Sequence, residues 1–109
     1  MKIIGRFRET YHDDRFPSVL DYINPEEPEN KQIILDYLKK GRVTAVYPAR
    51  LYDAVTKQTQ NVSLRCLTDG KYAWRSDLIY YYTKYNVKLD HDFISYIMRK
   101  LDDSSPQNR

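Results

Sequence analysis

Cysteine, histidine and glycine are all scarce in this sequence. Among its 109 residues there are one cysteine, two histidines and three glycines. The single thiol, at Cys66, excludes an internal disulfide and a zinc site built from several cysteines. Because the glycines stand alone at positions 5, 41 and 70, the chain also has no glycine-rich loop of the kind that cradles phosphate groups.

Long hydrophobic runs are missing as well. No apolar stretch reaches the length of a membrane-spanning helix, and the first residues, Met1 to Arg6, contain neither a signal-peptide core nor a small-residue cleavage site. Hydrophobic residues at 41% and charged residues at 30% are typical of a folded, soluble domain. We expect a cytoplasmic protein with one domain over residues 1–109, of which 103–109 form a flexible polar tail.

The residues that usually carry catalysis are few and far apart. His12 precedes Asp13 and Asp14 in a predicted surface loop, and His91 lies at the start of the last predicted helix. Cys66 alternates with apolar residues, which predicts a small buried side chain and not a nucleophile. We therefore predict that the chain is not an enzyme and that it binds neither a metal ion nor a cofactor.

The charges are divided along the chain. Residues 9–36 contain eight acidic and two basic residues, whereas residues 37–109 contain thirteen basic and seven acidic residues. A cluster of one sign attracts an oppositely charged macromolecule and raises the rate of encounter. The alternative interpretation is a solvated charged surface that binds nothing.

The N-terminal part of the chain predicts a strand followed by a short helix. The segment from Lys2 to Arg8 has the composition of a strand in which Ile3 and Phe7 share a face, and Gly5 marks a bulge or a close backbone approach. Residues 16–23 predict a helix of one or two turns.

A longer helix is predicted next. Asn24 and Pro25 have the properties of a helix start, although Pro28 favours a later one, and Gly41 marks the end. The apolar residues of this segment recur at intervals of three and four, which indicates a helix with one buried face. They are Ile33, Ile34, Tyr37 and Leu38.

Beyond this helix the pattern changes to the two-residue period of strands. Residues 42–47 predict a strand that Pro48 ends or bends, residues 50–56 are ambiguous between strand and turn, and residues 57–60 predict a loop. The alternation of residues 61–67 then predicts a further strand.

A tight turn follows that strand. Asp69 and Gly70 predict a turn with both residues at positive φ, after which residues 71–74 return as the second strand of a β-hairpin. Mixed helices and strands joined by a tight hairpin are typical of an α+β fold. We expect a small antiparallel sheet of three to four strands with helices packed on it.

The stretch from Ser76 to Tyr85 contains four tyrosines in six positions. It predicts a helix whose apolar stripe, which includes Tyr81 and Tyr82, packs in the core. Tyr80 lies beside that stripe and is available to contact a partner, because tyrosine is enriched at binding interfaces. A final amphipathic helix is predicted from about Asp90.

Two further functions stay open on the residues alone. Basic residues and tyrosines are interleaved in the C-terminal two thirds, which is typical of surfaces that stack bases and neutralise phosphate. The acidic segment and the lack of a recognition motif argue against nucleic-acid binding. A regulatory binding module that uses the tyrosine-rich face is the other alternative.

Residues 41–97 resemble small bacterial proteins that act as immunity proteins in polymorphic-toxin and contact-dependent growth inhibition systems. The likeness centres on residues 67–89, LTDGKYAWRSDLIYYYTKYNVKL, where a turn, Trp74, a helix and an extended stretch follow one another. It concerns a scaffold and not a site. The residues that follow, Asp90 to Asp92, depart from the pattern, and the first forty residues have no counterpart in it.

The resemblance implies a stoichiometric inhibitor that binds a cognate toxin domain, commonly a nuclease, and covers its active site or substrate surface. An acidic segment suits such a basic partner. We therefore predict that the partner-binding residues are acidic side chains of the N-terminal segment, with one tyrosine at the flank. They are Glu9, Asp13, Asp14, Glu26, Glu27, Glu29 and Tyr80.

Overall fold

The computed structural model describes residues 1–104, which form four strands, four α-helices and a short 3₁₀ helix. In chain order these are β1 (Lys2–Ile3), α1 (Arg8–Tyr11), the 3₁₀ helix (Val19–Tyr22), α2 (Lys31–Lys39), β2 (Arg42–Asp53), β3 (Gln58–Thr68), β4 (Tyr72–Arg75), α3 (Ser76–Tyr85) and α4 (His91–Ser104). The helices pack on the sheet, so the predicted α+β class is confirmed. Helix α4 includes the first two residues of the predicted tail, and residues 105–109 lie outside the described part of the chain.

The strands form one mixed sheet in the order β1–β4–β3–β2. The β2–β3 and β3–β4 pairs are antiparallel as expected, whereas β1 is parallel to β4, with Lys2 opposite Tyr72. No hairpin turn fixes the direction of β1, because most of the chain separates it from β4. Strand β2 lies at the opposite edge of the sheet.

The β3–β4 hairpin predicted around Asp69 and Gly70 is confirmed. Only Gly70 has a positive φ, at +101°, so the prediction of two such residues is wrong. Asp69 instead accepts hydrogen bonds from the backbone amides of Lys71 and Tyr72, at 2.9 and 2.7 Å, through one carboxylate oxygen. The side chain thus closes the turn in place of a second left-handed residue.

A second hairpin, formed by β2 and β3 and called the long hairpin below, contradicts the predicted loop at residues 57–60. Strand β2 continues past Pro48 to Asp53, and β3 begins at Gln58. Pro48 is tolerated because it lies on an edge strand and within an irregularity of the pairing between Tyr47 and Arg50.

The first strand is shorter than predicted. Gly5 adopts a φ of +77° and turns the chain away from the sheet, so Ile3 is exposed while Phe7 is buried, and α1 begins at Arg8. A Cβ on Gly5 would lie 2.6 Å from Cδ1 of Leu78. The predicted close approach of the backbone is therefore confirmed, and the prediction that the strand continues beyond Ile3 is wrong.

The next two helices also start late. Residues 16–23 contain a single 3₁₀ turn, and α2 begins at Lys31 after Asn30, which has a φ of +60°. The later start that Pro28 favours is thus the observed one. Ile34 and Leu38 face the core, whereas Ile33 is exposed.

The core lies between the sheet and helices α2, α3 and α4. Trp74 is buried, donates its indole N–H to the carbonyl oxygen of Leu38 at 3.1 Å, and packs against Phe93. Tyr81 and Ile97 are fully buried in the same cluster. None of the helices in residues 1–104 is long and apolar enough to cross a membrane.

Candidate partner-binding surfaces

The tyrosine-rich helix α3 is mainly a core element. Tyr81 and Tyr82 are buried, and the hydroxyl of Tyr81 donates to the carbonyl oxygen of Tyr52 at 2.6 Å and accepts from the amide of Ala54 at 2.8 Å. Burial raises the pKa of Tyr81 to about 12, so this hydroxyl stays protonated at neutral pH. The interpretation of the stripe as a core face is therefore confirmed.

Tyr80, the tyrosine predicted to contact a partner, lies half-buried on the flank of α3. Its hydroxyl donates to Oδ2 of Asp53 at 2.6 Å and accepts from the amide nitrogen of Gln60 at 3.0 Å. The ammonium group of Lys84 lies 3.3 Å from the same hydroxyl. The long hairpin therefore fixes this side chain, and only part of its ring faces outward.

Asp53 anchors this cluster although it is 1% exposed. Its Oδ2 accepts hydrogen bonds of 2.6 Å from the hydroxyls of Tyr80 and Tyr85, and its Oδ1 accepts from the amides of Val55 and Thr56 at 2.8 and 3.0 Å. Burial acts to raise the pKa of Asp53, but these hydrogen bonds outweigh it and lower the pKa to about 2. Sequence reasoning missed this residue, because its tyrosine partners lie 27 and 32 residues away.

Glu9 is used inside the molecule. Its carboxylate accepts hydrogen bonds from the hydroxyl of Ser18 at 2.5 Å and from the amide of Val19 at 2.8 Å. Burial acts to raise the pKa of Glu9, and these hydrogen bonds give it a net lowering. The side chain fastens α1 to the start of the 3₁₀ helix and has little capacity left for a partner.

Asp13 and Asp14 lie in the turn that follows α1. The carboxylate of Asp13 forms an ion pair of 2.7 Å with the guanidinium group of Arg15, which lowers the pKa of Asp13 to about 2. Asp14 is exposed and forms no ion pair with any residue of the described part of the chain. Of these two predicted site residues, Asp14 is the one whose charge stays uncompensated.

The remaining predicted acids lie in the segment 24–30, called the acidic loop below. Glu26, Glu27 and Glu29 are all exposed, and within residues 1–104 none forms an ion pair. The nearest cation in sequence, Lys31, is occupied by the carbonyl oxygen of Thr83 at 2.9 Å and the amide oxygen of Asn86 at 2.6 Å. Three negative charges are thus presented close together on exposed side chains, and Lys31 is held away from an ion pair with them.

The predicted acids do not form one surface. The carbonyl of Thr10 accepts from Arg75 at 2.9 Å, so the turn after α1 lies near the N-terminal end of α3. The amide of Asn24 donates to the carbonyl of Tyr85 at 3.1 Å, so the acidic loop lies near the C-terminal end. A helix of ten residues separates the two ends by about 15 Å.

A surface that sequence reasoning did not identify lies on β2. Residues 42–50 are all exposed, and among the described strands β2 has a neighbour, β3, on one side only. Val46 is 63% exposed and Val43 is 44% exposed, both large fractions for apolar side chains. The residues 42–47, ahead of Pro48, are called the open edge below.

The chemically reactive side chains stay apart in the fold. His12 and His91 are exposed, and Cys66 is half-buried with its thiol 3.1 Å from the hydroxyl of Tyr47. The predicted burial of Cys66 is therefore only partial. Within residues 1–104, no cluster of three or more histidine, cysteine or acidic residues is arranged to hold a metal ion.

A small cleft lies between α1 and the long hairpin. It has a volume of about 130 Å³ and is lined by side chains that include Tyr11 and the Arg75–Asp77 ion pair. The guanidinium group of Arg75 lies 4.3 Å from the ring centre of Tyr11, and its Nε is buried without a hydrogen bond. Ligand-binding pockets usually enclose about 300 Å³ or more, so this cleft does not have the size of a substrate site.

Comparison of the chain with protein-family models, with curated proteins and with solved structures found no match. The function must therefore be inferred from the surfaces of the fold itself. The resemblance of residues 41–97 to immunity proteins stays a hypothesis.

Proposed function

We propose that this chain is an immunity-type protein that binds the toxic domain of a bacterial toxin in the cytoplasm and neutralises it as a stoichiometric inhibitor. The observation that carries the proposal is the acidic loop, with three exposed carboxylates in four residues, none of which forms an ion pair in the described part of the chain. The proposal assigns no bond-making step and no cofactor to the chain.

The acidic loop is held in position at its base. The amide of Asn24 donates to the carbonyl of Tyr85, and the side-chain amide of Asn86 donates to the carbonyl of Asn24 at 3.2 Å. Pro25 and Pro28 restrict the backbone between these anchors and the start of α2. A loop ordered before binding loses less conformational entropy on association, which supports a role in tight binding.

The charge of the acidic loop indicates the kind of partner. A nuclease must present basic residues to bind phosphates, and exposed carboxylates attract that basic surface and raise the association rate. An inhibitor that covers the phosphate-binding surface needs no contact with the catalytic residues themselves. This supports a nuclease as the toxic domain.

The experiment that tests the proposal begins with the gene directly upstream. We expect it to encode a large secreted protein, and we expect co-expression of this chain to restore growth of cells that express the C-terminal domain of that protein. The purified chain and domain are then expected to form a one-to-one complex in size-exclusion chromatography with light scattering. Absence of protection, or a stable complex only with an unrelated endogenous protein, contradicts the proposal and favours a regulatory binding module.

One observation favours nucleic-acid binding as a second candidate function. The long hairpin carries Arg42, Arg50, Lys57 and Arg65, and its one acidic residue, Asp53, is buried. Exposed basic residues of this kind neutralise phosphate. A mobility shift with single-stranded RNA and double-stranded DNA at low salt tests this candidate, and retention of neither nucleic acid removes it.

A further inference from the structure

The pairing of β2 with β3 places two exposed valines on the same face of the long hairpin. Val43 lies opposite Leu67 and Val46 lies opposite Arg65, and these two β3 residues are two positions apart. Residues two apart on a strand point to the same face, and directly opposed residues share a face. Val43 and Val46 are three positions apart and would point to opposite faces of a regular strand. Thr44 is an extra residue at a register shift, so Val46 lies on the same face as Val43.

This face is covered at one end and bare at the other. Leu67 lies opposite Trp74 and is buried in the core beneath the helices, where Trp74 donates to the carbonyl of Leu38. Along β2 the same face continues with Val43 and Val46, which are exposed. The apolar surface of the sheet therefore extends past the helices that cover it.

The backbone at this place is open as well. Strand β2 has no second neighbour among the described residues, so the outward amides and carbonyls of the open edge face solvent. The bulge at Thr44 interrupts the open edge once, and Pro48, which lacks an N–H, and the irregular pairing beyond Tyr47 end it. The length available for pairing is thus about six residues.

We infer that the open edge binds a short, extended, acidic segment of another protein, which adds to the sheet as a fifth strand beside β2. The backbone of this segment pairs with β2, and its apolar side chains cover Val43 and Val46. The charge selects an acidic segment, because the long hairpin carries four basic residues and its one acidic residue, Asp53, is buried. This surface is separate from the acidic loop, and the inference does not depend on the partner being a toxin.

A second copy of this chain fits the open edge poorly. Antiparallel pairing of two β2 strands places the basic long hairpins of two copies side by side, and their like charges repel. Docking of the acidic loop of one copy on the open edge of the next would join two different surfaces and produce open-ended chains instead of a closed dimer. An acidic segment of a different protein avoids both problems.

A nucleic acid accounts for less of the surface. Phosphates would satisfy the basic residues, but they leave the two exposed valines and the row of backbone groups without a partner. Tyr47, the aromatic residue of the open edge, lies opposite Leu64 and therefore on the other face from Val46. The valine face thus presents no aromatic ring from the open edge on which a base could stack.

The test uses three fluorescent eight-residue peptides and measures anisotropy at low salt with the full chain. The first alternates glutamate and valine, and the second replaces every glutamate by lysine. The third is the first with every backbone amide N-methylated, so that neither edge of the peptide can donate to a neighbouring strand. We expect the chain to bind the first peptide and to bind the other two at least about tenfold more weakly. Amide hydrogen exchange is expected to slow at residues 42–47 when the first peptide is bound.

The variants Val46→Asp and Val62→Asp form a matched pair. Both valines are exposed, at 63% and 51%, on the same hairpin, but Val62 lies on β3 and away from the open edge. We expect V46D to weaken binding of the glutamate peptide about tenfold and V62D to change it less than about threefold. Thermal melts of both variants verify that they fold.

Four results would overturn the inference. They are equal or absent binding of the glutamate and lysine peptides, equal binding of the N-methylated peptide, and equal effects of the two valine variants. The fourth is failure of the glutamate peptide to bind, together with another occupant of the open edge. That occupant would be a second copy, seen as a dimer in analytical ultracentrifugation, or RNA, seen as a mobility shift, and V46D would abolish its binding.

Discussion

The carboxylate of Asp53, at the end of β2, accepts a hydrogen bond of 2.6 Å from the hydroxyl of Tyr85, in the last turn of α3. Asp53 also accepts from the two amides that open the turn of the long hairpin. One buried carboxylate therefore closes that turn and fastens it to a helix that follows 23 or more residues later in the chain. Buried charged groups persist when hydrogen bonds satisfy them, as they do here.

The variant Tyr85→Phe should destabilise the protein by about 1–3 kcal/mol, because it removes a hydrogen bond to a buried charged acceptor. Tyr96→Phe is the control, since Tyr96 packs on Tyr72 but its hydroxyl has no hydrogen bond within residues 1–104. We expect this control to change the free energy of unfolding by less than about 0.5 kcal/mol. Urea unfolding measures both variants, and equal losses would contradict the role assigned to Asp53.

The stability that Asp53 contributes should depend on pH. Its pKa is about 2 in the folded protein and about 4 in an unfolded chain. A depressed folded pKa means that the contribution is complete above pH about 4 and is lost as the pH falls towards 2.

The variant Asp53→Asn isolates this effect. It leaves the other carboxyls unchanged, so the difference in unfolding free energy between wild type and variant should narrow between pH about 4 and about 2. Urea unfolding at a series of pH values measures the difference. A difference that stays constant over this range would show that the folded pKa of Asp53 is not depressed.

The two hairpins illustrate what local sequence can predict. The turn of the β3–β4 hairpin contains Asp69 and Gly70, whose preferences are local, and it was predictable. The turn of the long hairpin, Ala54 to Lys57, contains no glycine, proline or asparagine, and it depends on Asp53 and on tyrosines of α3. Asp53 closes this turn locally, as Asp69 closes the other, but local preferences cannot reveal the tyrosines of a distant helix that hold its carboxylate.

The candidate surfaces show the same division. Composition was enough to locate the acidic segment. The hydrogen bond of Glu9 with Ser18 depends on where the chain folds back, and the ion pair of Asp13 with Arg15 depends on the local conformation of the turn that contains them. The exposure of Val43 and Val46 could not be predicted without the strand order. Only a strand at the edge of the sheet leaves both this face and its backbone groups open. The two-residue period alone suggested a half-buried strand.

The variant Gly5→Ala should be strongly destabilising. An alanine at this position would have to adopt a strained positive φ of +77°. Its Cβ would also lie 2.6 Å from Cδ1 of Leu78. Gly70→Ala is the matched control, since it has a φ of +101° and no atom within 4 Å of the added Cβ. We expect the control to cost about 1–2 kcal/mol and Gly5→Ala to cost about 1–3 kcal/mol more. Equal losses in urea unfolding would show that Leu78 moves aside without cost.

The position of the acidic residues predicts which of them govern encounter with a basic partner. The double variants Glu26→Lys/Glu27→Lys and Asp13→Lys/Asp14→Lys change the net charge equally. Asp13 is already paired with Arg15, whereas Glu26 and Glu27 are exposed without an ion pair in the described part of the chain. Stopped-flow association with the proposed toxic domain should therefore slow about tenfold for the glutamate variant at low salt and about threefold or less for the aspartate variant.

Salt dependence separates this electrostatic effect from a lost contact. If the acidic loop steers association, the logarithm of the association rate should fall less steeply with salt in the glutamate variant than in the wild type. The association rates of these two proteins should become equal at high salt. A slowing of association that persists at high salt would instead indicate that the glutamates make short-range contacts in the rate-limiting step of binding, whereas contacts made only in the final complex would raise the dissociation rate. Equal slowing by both double variants would mean that net charge, and not the acidic loop, directs the encounter.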